Sequence, residues 1–90
     1  MKKIRFSEEK DTWLREKRGL GFREISKAII EGKLFKVIEH TNKNKYKNQK
    51  IFLIKLKDYI YAVPFIEEKD FIFLKTVYPS RKYTKKYLNK

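Results

Sequence analysis

The chain has 90 residues, a formal net charge of +13 and 41% hydrophobic content, with aromatic residues at 16%. That is enough for one domain with one core, and too apolar for a disordered polymer in spite of the charge. The absence of cysteine excludes disulfides, thiolate metal sites and cysteine nucleophiles, and a single histidine excludes zinc sites built from several imidazoles.

No apolar run approaches the roughly 20 residues that cross a bilayer, and the start Met1-Lys2-Lys3-Ile4-Arg5 lacks the apolar stretch of a signal peptide. A cytoplasmic protein with no membrane partner is the expectation. Its positive charge is unevenly placed. Residues 1–32 are mildly basic, residues 33–57 hold Glu39 as their one acid, and no acid follows Lys75. An AT-rich coding bias accounts for choosing lysine over arginine, but not for so few acids. Such a field favours a polyanion, either nucleic acid or an acidic protein.

In chain order, Ser7 before Glu8 and Glu9 marks a helix start, and a helix over residues 7–18 ends at Gly19 and Gly21. Phe22, Ile25, Ile29 and Ile30 recur at helical spacing and predict a second helix over 22–31, with Gly32 past its end. Strands follow over 34–40, 50–56, 59–66 and 71–78, where β-branched and aromatic residues alternate between short turns. Pro64 cannot donate to a sheet ladder, so the third of these ends, bulges or meets an edge there. Short connections make the four strands an antiparallel meander. A basic, tyrosine-rich helix over 80–88, capped by Ser80, closes the sheet. The fold class is α+β in a single domain: two N-terminal helices on a four-stranded antiparallel sheet, then a C-terminal helix.

Two stretches carry the candidate chemistry. The first begins at His40, whose unperturbed pKa near neutrality suits proton transfer, and continues through the polar loop 41–49. In that loop Lys43, Lys45, Tyr46, Lys47 and Asn48 combine charge, amide donors and an aromatic face, a mixture that suits a phosphate and an unpaired base. The second is Lys75–Tyr87, KTVYPSRKYTKKY, a strand end running into a basic helix. Strand alternation puts Phe71, Phe73, Lys75 and Val77 on one face and Ile72, Leu74, Thr76 and Tyr78 on the other. The start of the helix, with Ser80, Arg81 and Lys82, favours a phosphate through the helix dipole and through the planar fork of Arg81. Tyr78, Tyr83 and Tyr87 offer stacking faces. The bland alternatives are a surface histidine, a polar hairpin loop and a terminal helix made soluble by its charge. No Gly-rich phosphate loop is present, and Glu67, Glu68 and Asp70 sit in a turn without obvious metal partners.

The strings EHTNKNKYKNQKIFLIKL, YIYAVPF and FLKTVYPSRKYTKKYL resemble, in order and length, toxins of bacterial type II toxin–antitoxin pairs, namely the BrnT-like branch of the RelE/ParE superfamily. The resemblance covers about Trp13 to Leu88, and its most specific part is the Pro-Ser step followed by basic residues within Lys75–Lys86. It implies a compact RelE-like fold, a ribonuclease activity, and a small DNA-binding antitoxin as partner in a hetero-oligomer. It also implies that His40, Lys45, Tyr46, Lys75, Ser80 and Arg81 lie near the RNA site.

Such an enzyme needs no metal or cofactor, because RNA supplies its own nucleophile. His40, or Lys45 among its neighbouring lysines, would deprotonate the 2′-hydroxyl, and Lys75 and Arg81 would stabilise the phosphorane. Tyr78, Tyr83 or the protonated base would return a proton to the leaving 5′ oxygen. Two rivals share these residues: a basic module that binds nucleic acid without cutting it, and a protein whose basic face serves an acidic partner alone. Convergence of His40, Lys75 and Arg81 in space would separate the first from the enzyme.

Overall fold

A computed structural model describes residues 2–39, 45 and 49–89. The elements run β1 (Lys3–Arg5), α1 (Glu8–Arg18), α2 (Phe22–Ile30), β2 (Leu34–Glu39), β3 (Gln49–Leu56), β4 (Tyr59–Glu67), β5 (Phe71–Leu74), β6 (Tyr78–Pro79) and α3 (Arg81–Leu88). Among the described residues the fold is α+β, with three helices and a mixed sheet of six strands. No helix among the described residues is long and apolar enough to cross a membrane.

The expected antiparallel meander is contained in a larger sheet. Strand order is β1-β5-β4-β3-β2, with β6 also on β4, and β1 pairs with β5 in parallel. The four-stranded, purely antiparallel expectation is therefore corrected at the N-terminus. Three residues with Lys3 and Arg5 outermost are too few for a readable alternation, and each pairs with a residue 68 positions later. Glu67 fastens this edge, accepting from Lys2 Nζ at 3.0 Å and Lys50 Nζ at 3.4 Å. Those two hydrogen bonds, and the lysine charges behind them, hold its carboxyl below the ordinary value.

Alternation sorts the sheet into two faces. Phe52, Ile54, Val63, Phe65, Leu74 and Val77 pack under α1 and α2 with Leu14, Phe22, Ile25 and Ile29. Phe52 and Phe65 stack across strands with ring centres 3.9 Å apart. On the opposite face Ile51, Leu53, Ile60 and Ala62 carry α3 through Tyr83, Tyr87 and Leu88. The molecule is thus three layers, helices–sheet–helix.

The α1–α2 corner is built on Asp11. Ser7 caps α1, its hydroxyl accepting from Lys10 N–H at 3.1 Å, and Gly19 ends α1 at φ 69°. Gly21 instead makes room, since a Cβ there would lie 2.4 Å from Asp11 Oδ1. That close approach lets the fully buried Asp11 accept from Phe22 N–H at 2.7 Å and cap α2, while Arg15 Nη2 balances its charge at 3.0 Å.

The last strand is interrupted where Pro64 faces it. Phe65–Glu67 pair with Ile72–Leu74 and Tyr61–Ala62 with Tyr78–Pro79, so Val63 and Pro64 oppose the three residues Lys75, Thr76 and Val77. This is a bulge of one residue. It corrects the expected alternation: Val77 turns into the core beside Leu74, at 1% exposure, while Lys75 points to solvent. A second register shift, between Leu34 and Lys36, lets Phe35 as well as Lys36 reach α3.

The start of α3 is tied to Ile60. Ser80 N–H donates to the Ile60 carbonyl at 2.9 Å, and Ile60 N–H donates to the buried Thr84 hydroxyl at 2.9 Å. Thr84→Val keeps the shape but orphans the Ile60 N–H. It should lower unfolding free energy by about 1–3 kcal/mol in urea denaturation, whereas Thr84→Ser should cost clearly less. Equal losses for the two variants would mean that the hydrogen bond does not anchor α3.

Candidate nucleic-acid interface

The spacing of Tyr83, Thr84, Tyr87 and Leu88 puts four side chains of α3 toward the sheet, and Arg81, Lys82, Lys85 and Lys86 are exposed. Tyr83 and Tyr87 lie one turn apart with nearly parallel rings, 15° between planes and 6.2 Å between centres. Phe35, presented by the β2 bulge and 43% exposed, extends the row at 5.2 Å from Tyr87. Lysines thread it. Lys36 Nζ lies 5.2 Å from the Tyr87 ring centre, Lys86 Nζ 5.3 Å from the same ring, and Lys82 Nζ 5.3 Å from that of Tyr83. The result is three neighbouring aromatic rings, Tyr83 and Tyr87 nearly parallel and Phe35 tilted 56° to Tyr87, with three ammonium groups against the two tyrosines.

The electrostatics of the row are specific. Partial burial pushes the Tyr87 phenol up, but the 3.4 Å hydrogen bond from Lys36 Nζ and the charges of Lys36 and Lys86 outweigh this and bring it below the usual tyrosine value. Tyr78 moves the other way: burial first, then the nearby Tyr83, raise its phenol. Two tyrosines of one neighbourhood are therefore pushed apart in acidity.

The sequence-derived residues fall into separate groups. Lys82 and Tyr83 belong to the row, and Tyr78 neighbours it at 37% exposure. Arg81 is exposed at the first position of α3. Ser80 is buried, and its hydroxyl accepts from Tyr83 N–H at 3.2 Å, so it is engaged as the helix cap. Lys75 is exposed in the bulge, its own N–H donating to the Pro64 carbonyl at 2.9 Å. Lys45 is an exposed turn residue. His40, Lys43, Tyr46, Lys47 and Asn48 lie outside the described residues.

The structure sets the backbones of Lys75 and Arg81 against different positions of β4. Lys75 lies beside Pro64, whereas Arg81 follows the strand to the Ile60 end of β4, on the order of 13 Å farther along the backbone at ~3.3 Å per residue. Glu39 pairs with Lys50 and Ile60 pairs with Lys55, so β2 ends at one end of the sheet and α3 starts toward the other. Sequence reasoning missed Phe35, Lys36 and Lys86 as members of the site. The Tyr83/Tyr87 spacing with interleaved lysines announced Lys86, but nothing local announced a bulge that turns Phe35 and Lys36 toward α3.

In an alkaline ultraviolet titration Tyr87 should ionise below the ordinary tyrosine value and Tyr78 above it. Lys36→Met should raise the Tyr87 value, and Tyr87→Phe should delete the component below the ordinary value. The sign follows from the ammonium favouring phenolate. The ammonium–phenolate pairing therefore favours the folded state where phenolate forms while Lys36 is still charged, and it fades as pH falls through the lowered folded value. An unchanged titration curve in Lys36→Met would refute the coupling.

Compared with protein-family models, with curated proteins and with solved structures, the chain gives no match.

Proposed function

We propose that this protein is a RelE-like, BrnT-type toxin of a type II toxin–antitoxin pair, a metal-independent endoribonuclease that grips single-stranded RNA across α3. The observation that carries the reading is the Phe35–Tyr87–Tyr83 row with Lys36, Lys82 and Lys86 against it. Successive bases stack on aromatic faces at about 1–3 kcal/mol each, and adjacent ammonium groups neutralise the phosphates between them. The order of two helices, antiparallel strands and a closing basic helix fits the family reading, as does the Pro79-Ser80 step before Arg81 and Lys82.

In this proposal the RNA 2′-hydroxyl loses its proton to a base and attacks the adjacent phosphorus. The bond to the 5′ oxygen breaks, that oxygen takes up a proton, and a 2′,3′-cyclic phosphate remains. His40 and Lys45 stay candidates for the base. Tyr87, whose phenol the lysines draw toward phenolate, joins them as a proton-transfer group at the row itself. Lys36 and Lys86 flank it and would stabilise the phosphorane, where one well-placed charge contributes on the order of 3 kcal/mol. Lys75 and Arg81 then contact phosphates farther along the strand. An acidic antitoxin covering the α3 face would hold the activity off and explain the charge of the chain, and its complex would weaken with salt.

A second reading, an RNA-binding module that does not cut, draws on the separation of Lys75 from Arg81 and on the engagement of the Ser80 hydroxyl as a cap. Mixed-sequence single-stranded RNA incubated in EDTA decides between them. Cleavage leaving cyclic phosphate ends, reduced about a hundredfold or more in Tyr87→Phe or His40→Ala, is the expected result. RNA bound with strong salt dependence but left whole supports the module. Wild type and Lys82→Glu/Lys86→Glu binding RNA equally well would overturn α3 as the interface under either reading.

A further inference from the structure

A cleft on the other face of the sheet is not accounted for by the α3 row. It lies between the α1–α2 turn and the β4–β6 pair, in two compartments that share Arg18, Leu20 and Tyr61. The inner one, about 240 Å³, is completed by Val77 and Pro79. The outer one, about 380 Å³, opens past Lys27, Lys33 and Lys57. Tyr61 and Pro79 are register partners, so a phenol ring and a pyrrolidine ring lie side by side on one face. With Leu20 and Val77 they make an apolar slot whose lining includes the flat ring of Tyr61.

Arg18 stands over this slot already positioned. It donates from Nη1 to the Val77 carbonyl, and its guanidinium carbon lies 5.4 Å from the centre of the Trp13 ring. A guanidinium held at two points keeps further N–H donors for an anion and loses little freedom on binding one. The acids of the outer rim are engaged: Glu24 accepts from Gly21 N–H at 2.8 Å, and Glu31 pairs with Lys33 at 3.5 Å. Four cations, Arg18, Lys27, Lys33 and Lys57, against the two carboxylates Glu24 and Glu31 leave the cleft net positive.

We propose that this cleft binds a nucleoside 5′-monophosphate, free or as the 5′ end of an RNA strand, with the base in the slot over Tyr61 and Pro79 and the phosphate on Arg18. The ligand class follows from the combination of a flat apolar slot with a fixed, planar anion receptor at its mouth. A bare phosphate would leave the slot unused, and an uncharged aromatic would leave Arg18 and the lysines unused. The site is distinct from the α3 interface and requires no cutting of RNA.

Trp13 is the only tryptophan and lies against Arg18, so the protein carries its own reporter. Titration of the full chain with UMP and with AMP should give a saturable change in tryptophan emission and amide shifts at Leu20, Tyr61 and Val77. Uridine and inorganic phosphate should each bind at least about tenfold more weakly. Arg18→Gln should weaken nucleotide binding about tenfold or more, with Arg18→Lys intermediate because it keeps charge but not the planar fork. Tyr87→Ala should change nothing in this titration, which separates the inference from the α3 reading. A 5′-phosphorylated hexanucleotide that displaces UMP where its 5′-hydroxyl counterpart does not assigns the site to strand ends; displacement by neither assigns it to free nucleotide. No saturable signal at millimolar nucleotide, phosphate binding as tightly as UMP, or full affinity in folded Arg18→Gln would each overturn the proposal.

Discussion

The missing N–H of Pro64 is the constraint on which much of this structure depends. In an antiparallel pair a residue's N–H and C=O point to the same neighbour. The Pro64 carbonyl accepts from Lys75, so the absent donor would have faced Lys75–Val77. The neighbouring strand takes in its extra residue at that place. Beyond the bulge the alternation is reversed, which puts Val77 into the core and brings Ser80 level with Ile60. Without that shift of one residue, Ser80 and Thr84 would not meet the Ile60 peptide. The helix would keep its local Ser80 cap but lose the two hydrogen bonds that tie it to β4.

The same shift separates the two surfaces proposed above as binding sites. Val77 turned inward offers its carbonyl to Arg18 and lines the cleft under α1 and α2. The chain then crosses the sheet edge as Tyr78-Pro79 and delivers α3 to the other face. One edge of β4 therefore serves both faces: Tyr61 to the cleft, Ile60 to the helix. A strand that is apolar on both sides is expected when helices cover both faces, and β4 buries Ile60, Ala62, Val63 and Phe65 accordingly.

Most of the architecture was legible in the chain. Ser7 and Ser80 as caps, Gly19 as a helix end and the alternation of Phe52, Ile54 and Leu56 are local signals, and each decides its own neighbourhood. What stayed hidden is non-local. Lys3–Arg5 becomes a strand only because Phe71–Phe73 is beside it. Gly21 reads as a second helix stop until Asp11 is found filling the space where its Cβ would be. The site was legible to the same depth. Lys82 and Tyr83 follow from the helix, but Phe35 and Lys36 join them through a register shift that depends on how β2 meets β3.

Tyrosines on a sheet-facing helix are ordinary packing residues, and Tyr83 and Tyr87 do cover Ile51, Leu53, Ile60 and Ala62. Packing alone, however, asks nothing of the charges around them. Three ammonium groups near two phenol rings repel one another and gain no burial from the arrangement, since Lys36, Lys82 and Lys86 are all exposed. The ammonium heads lie against the rings, and Lys36 Nζ also donates to the Tyr87 hydroxyl, but no acid among the residues of α3 balances their charge. A surface that concentrates like charge beside flat apolar faces lowers its own stability slightly while it waits. Under the proposed reading that cost is offset when the phosphates and bases of an RNA strand occupy the face together, a demand that the packing of Tyr83 and Tyr87 on the core does not itself make.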